Sequence, residues 1–249
     1  MSDASQFSTV DTHSGYATRR AEIEHYFDRT AAKAWERLTS DAPVSGIRAT
    51  VRAGRDRMRA TLLSWLPPDL SGLRLLDAGC GTGALAVEAA ARGADVVAVD
   101  LSPNLIEVAR DRMPKGLSGT VTWHAGDMLD PALGRFDHVI AMDSVIHYES
   151  TDKVAALAGL ATRAKRSVLF TFPPSNPALT AMHTVGKLFP RGDRAPAIVP
   201  VAERTMRRLI GRSSDLATFT ISNTETIRSG FYTSQAMQIV QTDSLGGTA

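Results

Sequence analysis

Arg74-Leu-Leu-Asp-Ala-Gly-Cys-Gly-Thr-Gly83 runs from an apolar stretch into three glycines at alternate positions, Gly79, Gly81 and Gly83. A helix-forming segment, Ala84 to Ala91, follows directly. The pattern reads as a strand, a tight turn and a helix N-terminus. Glycine has no Cβ, so such a turn lets a ligand lie close to the backbone. The spacing is G-x-G-x-G rather than the dinucleotide fingerprint G-x-G-x-x-G. It points away from a nicotinamide cofactor and towards S-adenosylmethionine (SAM).

Downstream, the sequence alternates regularly. Strands are expected at 73–78, 95–100, 120–125, 136–143 and 167–172, and helices at 84–92, 103–113 and 151–164. Such alternation implies a parallel sheet covered on both faces. After an irregular Pro-rich stretch, 203–212 reads as helix, and 216–227 and 231–242 read as two strands around a Ser-Gly turn. The expected fold is α/β: a Rossmann-like, seven-stranded SAM-dependent methyltransferase sheet. It is mostly parallel with an antiparallel last strand, and carries N-terminal helices and an insertion after strand 5.

Upstream, 20–38 reads as helix, broken by Asp41-Ala-Pro-Val44, and 47–66 as a long amphipathic helix ended by Pro67-Pro68. Ile47, Val51, Met58, Leu62 and Trp65 fall on one apolar stripe. Arg48, Arg52, Arg55 and Arg59 share the face beside it. The expected division is an N-terminal helical arm or lid at 1–66 and a methyltransferase domain at 67–249. The latter holds a substrate-side insertion at about 173–212.

Composition narrows the class. The 249 residues are 43% hydrophobic and 22% charged, with net charge +2. That balance is ordinary for a soluble globular protein and gives no case for nucleic acid. The single cysteine, Cys80, excludes an internal disulfide and suits a reducing compartment. The polar first 20 residues do not resemble a secretory signal, and no apolar run approaches about 18 residues. The expectation is a cytoplasmic enzyme.

Ligands of open parallel sheets bind beyond the carboxyl ends of the strands. Four segments are expected to meet there. The glycine turn faces the methionyl carboxylate of SAM, with Asp77 either supporting the turn, touching the ligand, or both. Asp100-Leu101 ends the second strand, its carboxylate suited to ribose hydroxyls or to capping the next helix. Asp127-Met128 follows the third strand and suits the adenine. Met142, in Ile140-Ala-Met-Asp-Ser144, follows the fourth and faces the sulfonium. Their order along the chain, more than any one segment, carries the reading. His124, His138 and His183 lack metal-ligand spacing and read as structural.

The acceptor side is expected in the N-terminal helices, in Asp143-Ser-Val-Ile-His-Tyr148 and in the 173–200 stretch, with its basic cluster from Lys187 to Arg194. Here the chain resembles a known family. Tyr26-Phe-Asp…Trp35, Thr39-Ser-Asp-Ala-Pro-Val-Ser45, Ile47-Arg-Ala-Thr-Val-Arg-Ala-Gly-Arg55 and Phe189-Pro-Arg-Gly-Asp-Arg-Ala-Pro-Ala-Ile198 are similar to magnesium-protoporphyrin IX O-methyltransferases of bacteriochlorophyll synthesis. The likeness runs from about Tyr26 to Thr242. It implies methyl transfer from SAM to one propionate of a magnesium porphyrin, with functional residues at Tyr26 and His147. The magnesium then belongs to the substrate, and no protein-bound metal is expected. Substrate contacts are expected at Arg48, Arg52, Tyr148 and Arg191. The arginine stripe reads equally as a solvated face, a site for the second propionate, or a contact for anionic lipid. The resemblance also implies a handover from the porphyrin-binding subunit of magnesium chelatase and peripheral contact with the photosynthetic membrane. Two other readings stand beside it: a SAM-dependent O-methyltransferase of another small molecule, such as a quinone precursor, and a non-catalytic porphyrin carrier.

Overall fold

The computed structural model describes residues 19–24, 46–175 and 197–242. Seven strands form one sheet in the order β3-β2-β1-β4-β5-β7-β6. They are β1 (Arg74–Ala78), β2 (Asp95–Asp100), β3 (Thr120–Ala125), β4 (Phe136–Ala141), β5 (Ala164–Phe172), β6 (Phe219–Ser229) and β7 (Tyr232–Gln241). Every pairing from β3 across to β5 is parallel, and β7 runs antiparallel to both β5 and β6. The first five strands and the closing pair therefore stand as the alternation predicts.

The helices are α1 (Gly46–Ser64), α2 (Ala84–Ala91), α3 (Pro103–Asp111), α4 (Ser150–Ala161) and α5 (Glu203–Arg212). Neighbouring strand residues point to opposite faces, so Leu75 and Leu76 enter two separate cores. On one face Leu75, Val96 and Ile140 pack with Met58 and Leu62 of α1, Ala86 of α2 and Ile106 of α3. On the other Leu76, Val97 and Val139 pack with Leu157 of α4 and Met206 and Ile210 of α5.

The predicted stripe on α1 needs one correction. Its C-terminal half buries Met58, Leu62 and Leu63, but Ile47 is 56% exposed. The helix lies against the β6–β7 turn at Thr50, next to Gly230, and against β7 at Gly54, where a Cβ would strike the Tyr232 ring at 2.5 Å. Ile47, at the start of the helix, belongs to neither core among the described residues.

Strand order reverses around β1, which pairs with both β2 and β4. That reversal opens a crevice at the carboxyl ends of the strands.

Candidate active site

A cleft enclosing about 710 Å³ of empty space, part of it open solvent, lies at this crevice. All four predicted segments line it: Gly79 and Gly81 after β1, Asp100 and Leu101 at the end of β2, Asp127 and Met128 after β3, Met142 after β4. His147 and Tyr148 line it too, as do Arg55 of α1 and Ile23 of the helical stretch 19–24.

The turn holds its shape through positive backbone angles, φ 81° at Gly79 and 55° at Gly81. The N–H groups of Gly79 and Cys80 donate to the Val99 carbonyl at 2.8 and 2.9 Å, fastening the turn to β2. Gly81 N–H donates to Asp100 Oδ2 at 2.8 Å, and Ser102 N–H to Oδ1 at 3.0 Å. Burial raises the Asp100 carboxyl above its ordinary range, and those two N–H groups oppose the rise. Each carboxylate oxygen has further acceptor capacity, so Asp100 can brace the turn and still receive a ligand hydroxyl. The capping role considered for Asp100 falls to Ser102, whose hydroxyl accepts the Leu105 N–H at 3.3 Å.

Asp77 and Gly83 stand behind the turn rather than among the lining residues. Asp77 is buried, and its Oδ2 has no hydrogen-bond partner among the described residues. Burial first, and the Asp100 charge second, push its carboxyl up to about 7, against the Ala86 N–H. Gly83 precedes α2, and a Cβ there would lie 2.3 Å from the Trp123 ring. Its glycine is demanded by packing on β3.

Beyond β3, Asp127 accepts the Leu129 N–H at 2.9 Å and pairs with Arg20 at 2.6 Å. That ion pair brings the 19–24 stretch over the end of the sheet. Beyond β4, Asp143 adopts φ 54°, a left-handed conformation uncommon for a residue with a Cβ. Three elements hold its carboxylate. Arg55 pairs with it at 2.7 Å, Thr171 Oγ1 donates at 3.0 Å, and the Tyr232 hydroxyl reaches it at 3.2 and 3.3 Å. Burial, then the Asp143 charge, push the Tyr232 hydroxyl pKa upward, so it stays a neutral donor.

His147 is buried, and its Nδ1 lies 3.4 Å from the Ala197 carbonyl. Tyr148 is buried as well. Of the remaining expected acceptor residues, Arg48 is exposed and Arg52 half-buried, and neither lines the cleft. Within the stripe it is Arg55 that reaches the cleft, one turn further along. Tyr26, Arg191 and most of the Phe189–Ile198 segment lie outside the described residues. Arg55, Asp143 and Ile23 were not among the expected site residues, although Arg55 belongs to the arginine stripe and Asp143 to the segment after the fourth strand. The only signal for them was the arginine spacing on α1 and a carboxylate directly after Met142.

The lining suits a SAM-like ligand: a Cβ-free cradle, apolar side chains from Leu101, Met128 and Met142, and carboxylates suited to hydroxyl, amine and sulfonium groups. Among the described residues, no group of three His, Cys, Asp or Glu side chains is placed to hold a metal.

Residues 75–167 match a general methyltransferase domain, and residues 141–241 match the magnesium-protoporphyrin IX methyltransferase C-terminus. A magnesium-protoporphyrin O-methyltransferase from Rhodobacter capsulatus is 50% identical over 226 residues, spanning 90% of this chain and 98% of the relative. The chain belongs to the magnesium-protoporphyrin O-methyltransferase family. The crystal structure of magnesium protoporphyrin IX methyltransferase from Synechocystis PCC 6803 with bound SAH aligns at TM-score 0.78 and 27% identity, over 90% of this chain and 99% of that one. A ubiquinone biosynthesis O-methyltransferase from Xanthomonas oryzae pv. oryzae is 33% identical over 176 residues, 66% of this chain and 70% of the relative.

Proposed function

We propose that the chain transfers the methyl group of SAM to a propionate carboxylate of magnesium protoporphyrin IX, giving the monomethyl ester and S-adenosylhomocysteine. The carrying observation is the match to the family along 90% of the chain, the acceptor-side C-terminal region included. The quinone-type rival matches 66% of the chain. A carrier would have no use for a SAM-shaped cradle at Gly79, Gly81 and Asp100.

The chemistry asks little of acid–base groups. A propionate resembles a Glu side chain, with a pKa of about 4.3, and is ionised at neutral pH. SAM supplies an electrophilic methyl group on a sulfonium. A carboxylate oxygen bonds to that methyl carbon, the carbon–sulfur electron pair returns to sulfur, and no proton need move. The protein's task is alignment and exclusion of water, and alignment alone can be worth about 7–11 kcal/mol.

Roles follow for the chain's own residues. The Cβ-free glycine turn cradles the methionyl end, its N–H groups at Gly79, Cys80, Gly81 and Gly83 being already bonded within the fold, while Asp100 holds the ribose, Asp127 with Met128 the adenine, and Met142 packs beside the sulfonium. Asp77 and Gly83 keep the turn in shape. His147, its ring set by the Ala197 carbonyl, orients the acceptor carboxylate, donating to it from Nε2 when protonated. Tyr26 closes over the donor, and the part of the 1–66 arm before α1 acts as a lid, α1 itself being packed into the core. Tyr148 and Arg191 face the porphyrin, and Arg48 and Arg52, which lie outside the cleft, reach its second propionate.

Incubation with SAM and magnesium protoporphyrin should add one methyl group by mass. His147→Ala should lower kcat about 100-fold, as for a lost orienting group, with little change in SAM affinity. Unchanged turnover would remove His147 from this role.

Contact with an anionic membrane surface is supported by Phe231, 76% exposed at the β6–β7 tip beside exposed Arg228 and Arg57, and by the bare Ile47 on the neighbouring α1. Among the described residues no helix is long and apolar enough to cross a membrane. Delivery of the porphyrin by a magnesium-inserting complex is supported by the metal already present in the substrate.

A further inference from the structure

We propose that Lys153 is a positioning residue for His147, clamping the loop that carries the imidazole to the 197–201 segment. The proposal rests on the role given to His147 above.

Lys153 is 0% exposed, although lysine is almost never fully buried without a partner. Its Nζ donates to the Tyr148 carbonyl at 2.6 Å and to the Val199 carbonyl at 2.9 Å. Burial draws the amine down to about 8, the nearby Glu149 charge opposing it. Charged or neutral, the group has protons enough for both carbonyls.

The two carbonyls belong to strips of backbone that bracket His147. Val199 N–H donates to the Ile146 carbonyl at 2.9 Å, and the Ala197 carbonyl lies against His147 Nδ1. The residues before and after the histidine are thus both tied to Val199, one by its N–H and one through the lysine. That bracketing fixes the backbone at 147 and sets the ring against Ala197.

Each end of the clamp is anchored in the fold. Lys153 sits in the first turn of α4, whose Val154 and Leu157 are core residues. The 197–201 segment is tied to the end of β5 by Val201 N–H to the Pro173 carbonyl at 2.9 Å, and by Ser175 N–H to the Val201 carbonyl at 3.1 Å. Without the amine, two buried carbonyls lose their donor and the strips are joined by one backbone bond. None of this touches the glycine turn or Asp100, so a local effect on the histidine is separable from donor binding.

The test compares Lys153→Met, which keeps chain length but removes both donors, with the milder Lys153→Gln. Turnover, acceptor KM and SAM Kd are measured, together with the side-chain ¹⁵N resonances of the histidines. The expected result is a fall in kcat of about 10- to 100-fold, the scale of a slightly misplaced reacting group. SAM Kd should stay within about twofold, since no donor contact is lost. The His147 Nδ1–H signal should broaden or shift while that of buried His138 holds.

Wild-type turnover in a variant that binds SAM would overturn the proposal. So would equal losses of turnover and SAM affinity, which mark a general structural role. If Lys153→Met does not bind SAM, Lys153→Gln decides, and loss of SAM binding in both also overturns it. A wild-type chain that methylates no porphyrin refutes the functional reading instead, and the histidine resonances then decide the clamp alone.

Discussion

A methyl group added at Gly79 tests the cradle where its geometry is tightest. The added Cβ would lie 2.3 Å from Ser144 Cβ. Carbon atoms in contact sit at about 3.5–4.0 Å, so turn and loop must part by about 1.2 Å or more. The residue must also keep φ 81°, which costs a side-chain-bearing residue about 1–2 kcal/mol. Two residues on, the Gly81 N–H sits 2.8 Å from Asp100, and a hydrogen bond to a carboxylate is worth about 1.5–3 kcal/mol. Partial loss of that bond with partial relief of the clash gives about 1.4–2.8 kcal/mol in donor binding, a 10- to 100-fold weaker SAM Kd. Titration calorimetry with SAM measures it directly. Ser144→Gly in the same chain removes the carbon that is struck, and Ser144 Oγ makes no hydrogen bond that would be missed. The double variant should recover most of the affinity and retain only the backbone cost. A Gly79→Ala chain that binds SAM within about twofold of wild type, or a double variant that recovers nothing, would refute the reasoning.

Arg55→Met should destabilise the chain by about 3 kcal/mol in urea unfolding, because it strips the cation from a carboxylate only 8% exposed, and Asp143→Asn added to it should restore much of the loss. Asp77 gives a pH signature: its carboxyl titrates near 7 when folded and near its ordinary 3.8 when unfolded, so native chains hold a proton that unfolded chains release. Stability from this group is therefore full at low pH and is lost as pH rises to about 7, and Asp77→Asn should flatten the profile by about 2–4 kcal/mol between pH 4 and 7. Phe231→Ser should cut co-sedimentation with anionic vesicles about 10-fold by removing an exposed aromatic side chain that would enter the membrane surface, with turnover on soluble porphyrin unchanged.

Local rules made the sheet legible. β1, β2 and β5 end where an apolar run meets Gly79, Asp100 and Pro173, and period and punctuation are properties of neighbouring residues. The same holds for the site's four segments, because a parallel sheet converts the ends of successive strands into one place. What escaped was set by partners far apart in sequence. Ile47 has the right helical phase but belongs to neither core among the described residues, and only where the helix starts relative to the sheet decides that. Gly83 sits in the glycine run like its neighbours, but its need for a bare Cα comes from Trp123, 40 positions on.

The polar interior shows why such pairs stay hidden. Arg55 and Asp143 are 88 positions apart, and Lys153 reaches Val199 across 46. No periodicity relates them, and each side chain alone reads as solvated surface. Burying one of these charges without its partner costs several kcal/mol, so each is admitted to the interior only where the fold has already placed an opposite charge or an open carbonyl. In this chain those placements concentrate at the carboxyl ends of the strands. Asp143 draws together α1, β5 and β7, Lys153 draws together α4 and the 197–201 segment, and both meet on the loop between Met142 and Tyr148. A loop held by five elements is suited to a reaction whose main demand is that an oxygen, a methyl carbon and a sulfur be kept in line.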